Sequence, residues 1–120
     1  MKTRKPILVL VVLLVLVFMQ GQAEAQFVTG NMLIGDMHEY EKRDAKVTIV
    51  EFMQSGRYQG YVAGISDATA DILWRLQKNV NMGQICAIVS KYLKNHPERW
   101  NESAAILVIA ALQEAFPLKK

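Results

Sequence analysis

Three glycines at every fourth position, followed in register by an alanine, constrain the fold of this chain more than any other feature. Gly56, Gly60, Gly64 and Ala68 lie in a stretch whose apolar residues recur at steps of three and four, which is a helical spacing. Each glycine in a helix interior costs up to about 1 kcal/mol relative to alanine. We therefore predict that these positions form a stripe where the backbone of another helix approaches closely.

Two other interpretations of the glycine stripe fit the sequence less well. A phosphate-binding loop needs glycines between a strand and a helix, usually with a following Lys and Ser or Thr, and no Gly-Lys-Ser follows here. A glycine seam between membrane helices needs an apolar stretch of about 20 residues. Arg57, Gln59, Asp67 and Asp71 interrupt this one, so a crossing between helices of a soluble protein is favoured.

The first 25 residues have the pattern of a secretory signal peptide. Basic residues at positions 2, 4 and 5 precede an unbroken apolar run from Ile7 to Met19, and Ala23-Glu24-Ala25 supplies small residues before a cut. An uncleaved membrane anchor is the alternative, but the run is shorter than the roughly 20 residues that span a bilayer. We expect cleavage after Ala25, export to the periplasm, and one domain over residues 26–120.

Charge and cysteine content narrow the range of functions that are possible for that domain. Residues 1–25 hold three of the 14 bases and one of the 11 acids, so residues 26–120 carry a net charge of only +1. No basic stripe is visible, which argues against a nucleic-acid partner. Cys86 is the single cysteine, so no internal disulfide can form.

Apolar spacing predicts helices along the rest of the chain. The first runs from Thr29 to about Glu41, and the second region, residues 45–73, is either one kinked helix or two, with Asp44 as a candidate cap. The apolar positions of that region are Val47, Val50, Tyr58, Tyr61, Ile65, Ala68 and Ile72.

Two more helices follow. An amphipathic helix carries Met82, Ile85, Cys86, Val89 and Leu93 on one face after an Asn81 cap, and Pro97 ends it. The segment from about Asn101 to Ala115 is apolar nearly all round and predicts a buried helix. The fold class is therefore all-α, a small compact bundle of about four to five helices around a buried C-terminal helix.

No constellation of residues indicates catalysis. His38 and Glu41 share a helix face, but a metal site needs further ligands from another segment. Asp67 and Asp71 lack a supporting second region, and Cys86 lies in an apolar stripe without a catalytic partner. We expect a protein that is not an enzyme and that uses no metal or cofactor.

Two stretches together resemble a known family. The sequences GYVAGISDA (60–68) and NMGQICAIVSKYLKNHPERWNESAAILVIAALQEAFP (81–117), after an opening FVTGNMLIGD, are similar to the Rap/Tai family of type VI secretion immunity proteins. One departure stands out, because family members usually carry disulfide-forming cysteines. The corresponding positions here hold Met37, Tyr58, Arg75 and Leu118, which makes this a divergent member.

The resemblance implies an all-α periplasmic protein, often a homodimer, that binds a peptidoglycan amidase-like toxin and plugs its active-site groove. For the binding surface we favour the turn from Trp74 to Asn81, with Trp74 as an aromatic anchor, since Trp and Arg are enriched at interface hot spots. The polar contacts would come from Arg75, Gln77, Lys78 and Asn79. The competing interpretation is that Trp74 only caps the core.

A second surface and a second function stay open. The turn NHPERW, with Arg99 and Trp100, is the second candidate surface, although its motif is more typical of a structural role. The alternative function is a small exported helical binding or stress module that has no toxin partner, which the missing family cysteines favour.

Overall fold

A computed structural model describes residues 4–18, 27–42 and 47–119, and within these ranges every regular element is helical. The predicted all-α class is therefore confirmed. The elements in chain order are α1 (Arg4–Phe18), α2 (Gly30–Glu41), α3 (Ile49–Thr69), α4 (Met82–Asn95), a 3-10 turn (Pro97–Arg99) and α5 (Ala104–Ala115).

Helix α5 lies at the centre of the bundle, as its all-round apolar sequence predicts. It packs against α2, α3 and α4. Its buried residues are Ala104, Leu107, Val108, Ala111 and Leu112. Its exposed residues are Ile106, Gln113, Glu114 and Ala115, and its buried side forms the centre of the bundle.

The predicted compactness does not hold for the chain as a whole. Its extents are 78 × 43 × 23 Å and its radius of gyration is 21.3 Å, whereas a compact domain of this length has a radius of about 14 Å. Residues 4–15 of α1 are all exposed. The predicted cut after Ala25 lies outside the described residues, and no described helix is long and apolar enough to cross a membrane.

Side-chain caps set where the helices begin. Thr29 Oγ1 accepts the Met32 backbone N–H at the start of α2. The predicted Asn81 cap of α4 is confirmed as a reciprocal capping box with Gln84. The suggested cap Asp44 lies outside the described residues, and Thr48 with Glu51 forms the capping box that begins α3.

Helix α3 is one continuous helix of 21 residues, without the break that the sequence left open. Its buried line is Tyr58, Val62 and Ser66. The predicted stripe is correct at Tyr58, Tyr61 and Ile65, which are buried or pack against the core, but it omitted Val62 and included residues that face solvent. Those exposed residues are Val47, Val50, Ala68 and Ile72.

The predicted close approach at the glycine stripe is also wrong. A Cβ added at Gly56, Gly60 or Gly64 would meet nothing within 4 Å, because all three lie on the side of α3 opposite Tyr58 and Val62. The close approach occurs at Gly30 instead. There an added Cβ would lie 2.6 Å from the Trp100 carbonyl oxygen and 2.5 Å from Leu107 Cδ1.

Candidate functional site

The segment from Ala70 to Asn81, between α3 and α4, is the candidate site; we call it the α3–α4 loop. All its residues are exposed except Ala70 and Val80, which are half-buried, and Trp74. Two of its residues, Asp71 (φ 58°) and Asn79 (φ 67°), have left-handed backbone conformations. Asp and Asn tolerate this region better than most side chains, so the sequence permits two sharp bends here.

Trp74 is buried, with 1% of its surface exposed. Its indole N–H donates to Thr69 Oγ1 at 3.0 Å, and its ring packs on the Phe116 ring with centroids 5.9 Å apart. The indole is therefore not exposed to a partner in this structure, and the prediction of an exposed aromatic anchor at this residue is not supported. Its observed place is that of a core group that fixes the loop.

Backbone hydrogen bonds also fix the α3–α4 loop. The Arg75 N–H donates to the Phe116 carbonyl at 2.9 Å, and the Asp71 N–H donates to the Trp74 carbonyl at 2.8 Å. The Asp71 carboxylate in turn accepts the Leu76 N–H at 3.2 Å. A loop fixed in this way loses little conformational entropy on binding, which favours affinity.

The other predicted contact residues are exposed together on the loop. They are Arg75, Gln77, Lys78 and Asn79. Within the described chain, neither Arg75 nor Lys78 forms an ion pair, so both cationic groups face solvent. The loop thus presents two unpaired positive charges and two amides.

Sequence reasoning missed the apolar part of this surface. Ile72, Leu73 and Leu76 are 68%, 37% and 49% exposed. Because they adjoin the polar contacts, the loop combines apolar anchors with a cationic rim, as protein interfaces do. The signal that could have identified them is Asp71 directly before Ile72, because aspartate tolerates the left-handed backbone conformation. A bend of that kind turns the next side chains away from the helix axis.

The second candidate surface, NHPERW, is occupied by internal contacts. Arg99 donates to both carboxylate oxygens of Glu102 at 2.8 Å and to the Tyr92 hydroxyl. The hydrogen bond to Glu102 raises the pKa of Arg99. Trp100 Nε1 donates to the Leu93 carbonyl at 2.8 Å, so these groups hold the turn after α4 in place.

Glu41, which was considered with His38 as a metal ligand, has structural contacts instead. Glu41 accepts hydrogen bonds from Ser90 and Lys94, while His38 is exposed. Among the residues described, no group of three or more His, Cys, Asp or Glu could hold a metal ion.

Cys86 lies in the core, as its place in the α4 stripe predicts. Its side chain is 0% exposed, and burial raises the pKa of its thiol. The Tyr58 hydroxyl donates to the Cys86 carbonyl at 2.8 Å, and burial raises the pKa of that phenol as well. A protonated, enclosed thiol is a packing group rather than a nucleophile.

Of the positions where the resemblance implies cysteines, two lie in the core, one lies in the α3–α4 loop and one follows Phe116 near the C-terminus. Met37 and Tyr58 are both fully buried on the packed helices α2 and α3. Arg75 and Leu118 lie near Phe116, whose carbonyl accepts the Arg75 N–H.

Comparison with known proteins agrees with this architecture. A search of curated proteins found no match to the chain. The family model described as Rap1a immunity proteins matches residues 29–118, which begin at the Thr29 cap of α2 and extend past α5. The match thus covers α2 to α5 and the α3–α4 loop, and this chain belongs to the Rap1a immunity protein family.

Proposed function

We propose that this chain is a periplasmic immunity protein that binds a cognate cell-wall-degrading toxin of a type VI secretion system and blocks its active-site groove. The partner would be a peptidoglycan amidase-like toxin. Family membership supports an immunity role, and the signal-peptide pattern of residues 1–25 supports export to the compartment that holds the cell wall.

The observation that carries the mechanism is the fixed, exposed α3–α4 loop. Steric inhibition requires a protruding segment whose shape is set before binding, and no chemistry of its own. Trp74 and the Phe116 carbonyl fix the loop to the core. Its exposed apolar groups Ile72 and Leu76 can then enter a groove while Arg75 and Lys78 meet acidic or carbonyl groups at the rim.

The function is tested by first looking for a gene of a peptidoglycan amidase-like toxin beside this one and then using its product as the toxin. Cells that express the amidase in the periplasm should lyse, and co-expression of the chain should prevent lysis. The two proteins should also co-purify at a fixed ratio. A chain that neither protects nor co-purifies would instead support a small exported module without a toxin partner.

The site is tested with Arg75→Glu. Because the side chain is exposed and unpaired, we expect an unchanged melting temperature and at least about a tenfold loss of affinity, as at an interface hot spot. Lys91→Glu, which makes the same charge change on exposed α4, is the matched control. Normal binding by both Arg75→Glu and Leu76→Asp would exclude the loop as the toxin-binding surface.

Trp74→Ala distinguishes a direct contact between Trp74 and the toxin from a role of Trp74 in holding the loop in place. Removing a buried tryptophan typically costs about 3–5 kcal/mol of stability, so this variant should lose both melting temperature and toxin binding. A stable Trp74→Ala protein that still loses binding would mean that the indole contacts the toxin directly.

A further inference from the structure

A cavity lies beneath the α3–α4 loop, between the last turn of α3 and the start of α4; we call it the loop cavity. Its volume is about 240 Å³, and it opens to solvent. Pockets for drug-sized ligands have volumes of roughly 300–1,000 Å³. The loop cavity therefore has room for a single long side chain rather than for a larger ligand.

The walls of the loop cavity are mostly apolar. Trp74 and Ile85 line it and are buried, while Val80 and Met82 line it and are half-buried. Leu76, which is 49% exposed, belongs both to the cavity and to the outer surface of the loop. Apolar walls of this kind favour an aliphatic group, because its burial removes apolar area from water.

The polar end of the loop cavity offers hydrogen-bond acceptors and a negative charge. Asp67 lines the cavity and is exposed, and it forms no ion pair within the described residues. Ser66 Oγ donates its proton to the Val62 carbonyl at 2.7 Å, which leaves its lone pairs to accept. Asn81 Oδ1 already accepts a backbone N–H as the cap of α4. A carboxylate beside an accepting hydroxyl favours a cationic donor.

The position of Asp67 is not explained by the stability of its own helix. It lies in the last turn of α3, which contains no basic residue. A negative charge is unfavourable there, because the C-terminal end of a helix carries a partial negative charge. A cation bound in the loop cavity would offset that repulsion.

We infer that the loop cavity binds a long aliphatic side chain that ends in a cation, and that the toxin supplies it as a lysine or an arginine. The stem lies against the apolar walls, and the charged head meets Asp67 at the mouth. A toxin that covers Leu76 also covers this mouth, because Leu76 belongs to both surfaces. The source of the side chain rests on the proposed function, whereas the site itself does not.

An NMR titration with n-hexylammonium tests the site without the toxin, and n-hexanol is the uncharged probe of equal length. The amine should shift the signals of Trp74 and Ile85 with a dissociation constant on the order of 1 mM, as suits so small a ligand. Asp67→Asn should weaken amine binding by about two- to fivefold, the range for a partly exposed ion pair, and leave hexanol binding unchanged. Its melting temperature should equal or slightly exceed that of the wild type.

Glu114→Gln is the matched control. It removes an exposed acid of α5 that lies outside the loop cavity and forms no ion pair in the part of the chain that the structure describes. This variant should bind n-hexylammonium as the wild type does. The same two variants then serve in the toxin assay.

Calorimetry with the toxin tests the source of the cation. Asp67→Asn should lower toxin affinity by about tenfold, and Glu114→Gln should not change it. Asp67→Lys should bind more weakly still, because it sets two like charges together. Among toxin variants that each change one surface lysine or arginine to glutamate, one should restore binding to Asp67→Lys by at least about tenfold, as coupled sites do.

The two assays keep this inference distinct from the proposed function. Amine binding no tighter than that of hexanol, or equal in wild type and Asp67→Asn, would overturn the site. A toxin that bound wild type and Asp67→Asn equally would show that it supplies no cation to the cavity, while the proposed function stood. A wild type that bound no toxin would contradict the proposed function and the toxin as the source, and the amine titration would then decide the site alone.

Discussion

The start of α2 and the outer side of α3 are both marked by glycine, but they use it in opposite ways. At Gly30 the absent side chain admits the Trp100 carbonyl and the Leu107 methyl, and the Gly30 N–H donates to the Glu102 carbonyl at 2.8 Å. At Gly60 the absent side chain admits nothing from the same chain. The four-residue spacing therefore identified one face of a helix correctly, but it did not show whether another part of the molecule covers that face.

The difference shows that a single glycine in a short motif can be structurally more important than three in a regular series. Gly30 lies where the antiparallel bridge between Thr29 and Ser103 joins α2 to the start of α5. That bridge holds the two backbones together, so any added atom must displace one of them. No such constraint acts on α3 within one chain, and its glycines lower the stability of the isolated monomer.

Gly30→Ala gives the largest expected effect. Its added Cβ would lie 2.6 Å from a backbone oxygen, and overpacking of this kind costs typically about 1–3 kcal/mol; we expect the upper end, because backbone must move. Urea denaturation should show a lower midpoint with an unchanged slope. Stability equal to wild type would mean that α2 and α5 can separate at no cost.

Replacing all three α3 glycines with alanine should stabilise the protein, in contrast to Gly30→Ala. Each exposed Gly→Ala change in a helix interior gains roughly 0.5–1 kcal/mol, which gives about 2 kcal/mol for the triple variant. The measurement is a thermal melt at low micromolar concentration. A destabilised triple variant at that dilution would show that an intrachain neighbour, absent from this structure, contacts the stripe.

Local interactions explain which parts of this fold could be predicted from the sequence. The Asn81 capping box joins residues three apart, and Pro97 ends α4 by its own geometry, so both were visible in the sequence. The all-round apolar character of α5 likewise indicated its central place. Each of these features depends on residues within a few positions of one another.

The remaining features depend on distant parts of the chain. Trp74 is buried because Phe116, more than 40 positions later, packs on its ring, and no local pattern records that contact. The sequence did not show that Val62 is buried while Val50 is 65% exposed, because the two side chains are chemically identical. Which valine is buried depends on where α2, α4 and α5 pack against α3.

Gly35→Ala sharpens the comparison within a single helix. Gly35 lies five residues after Gly30 on α2 but is exposed, with nothing within 4 Å of an added Cβ. We expect this change to stabilise the protein by about 0.5–1 kcal/mol, measured in the same urea titration as Gly30→Ala. Equal signs for the two variants would mean that helix propensity, and not the close approach to α5, governs α2.

The C-terminal end of α2 is held by the charged side chain of Glu41, whereas its N-terminal end is held by close packing at Gly30. The pH dependence of stability distinguishes these two interactions. Partial burial raises the pKa of Glu41, but hydrogen bonds from Lys94 and Ser90 outweigh that effect and leave the pKa below its usual value of 4.5. The folded state therefore binds the proton less tightly than the unfolded state. The contribution of ionised Glu41 to stability is present above the pKa of the unfolded state and is lost as the pH falls through the lower pKa of the folded state.

Glu41→Gln isolates this smallest effect. The Lys94–Glu41 pair is partly exposed, and such pairs contribute about 0.2–1 kcal/mol. The wild type should thus exceed the variant by a few tenths of a kcal/mol at pH 7, and the gap should close as the pH falls below about 4. Urea titrations of both proteins at several pH values measure it, with Gly30→Ala as the reference whose deficit should stay constant. A gap that widened in acid would mean that Glu41 binds its proton more tightly in the folded protein, contrary to the hydrogen bonds that hold it.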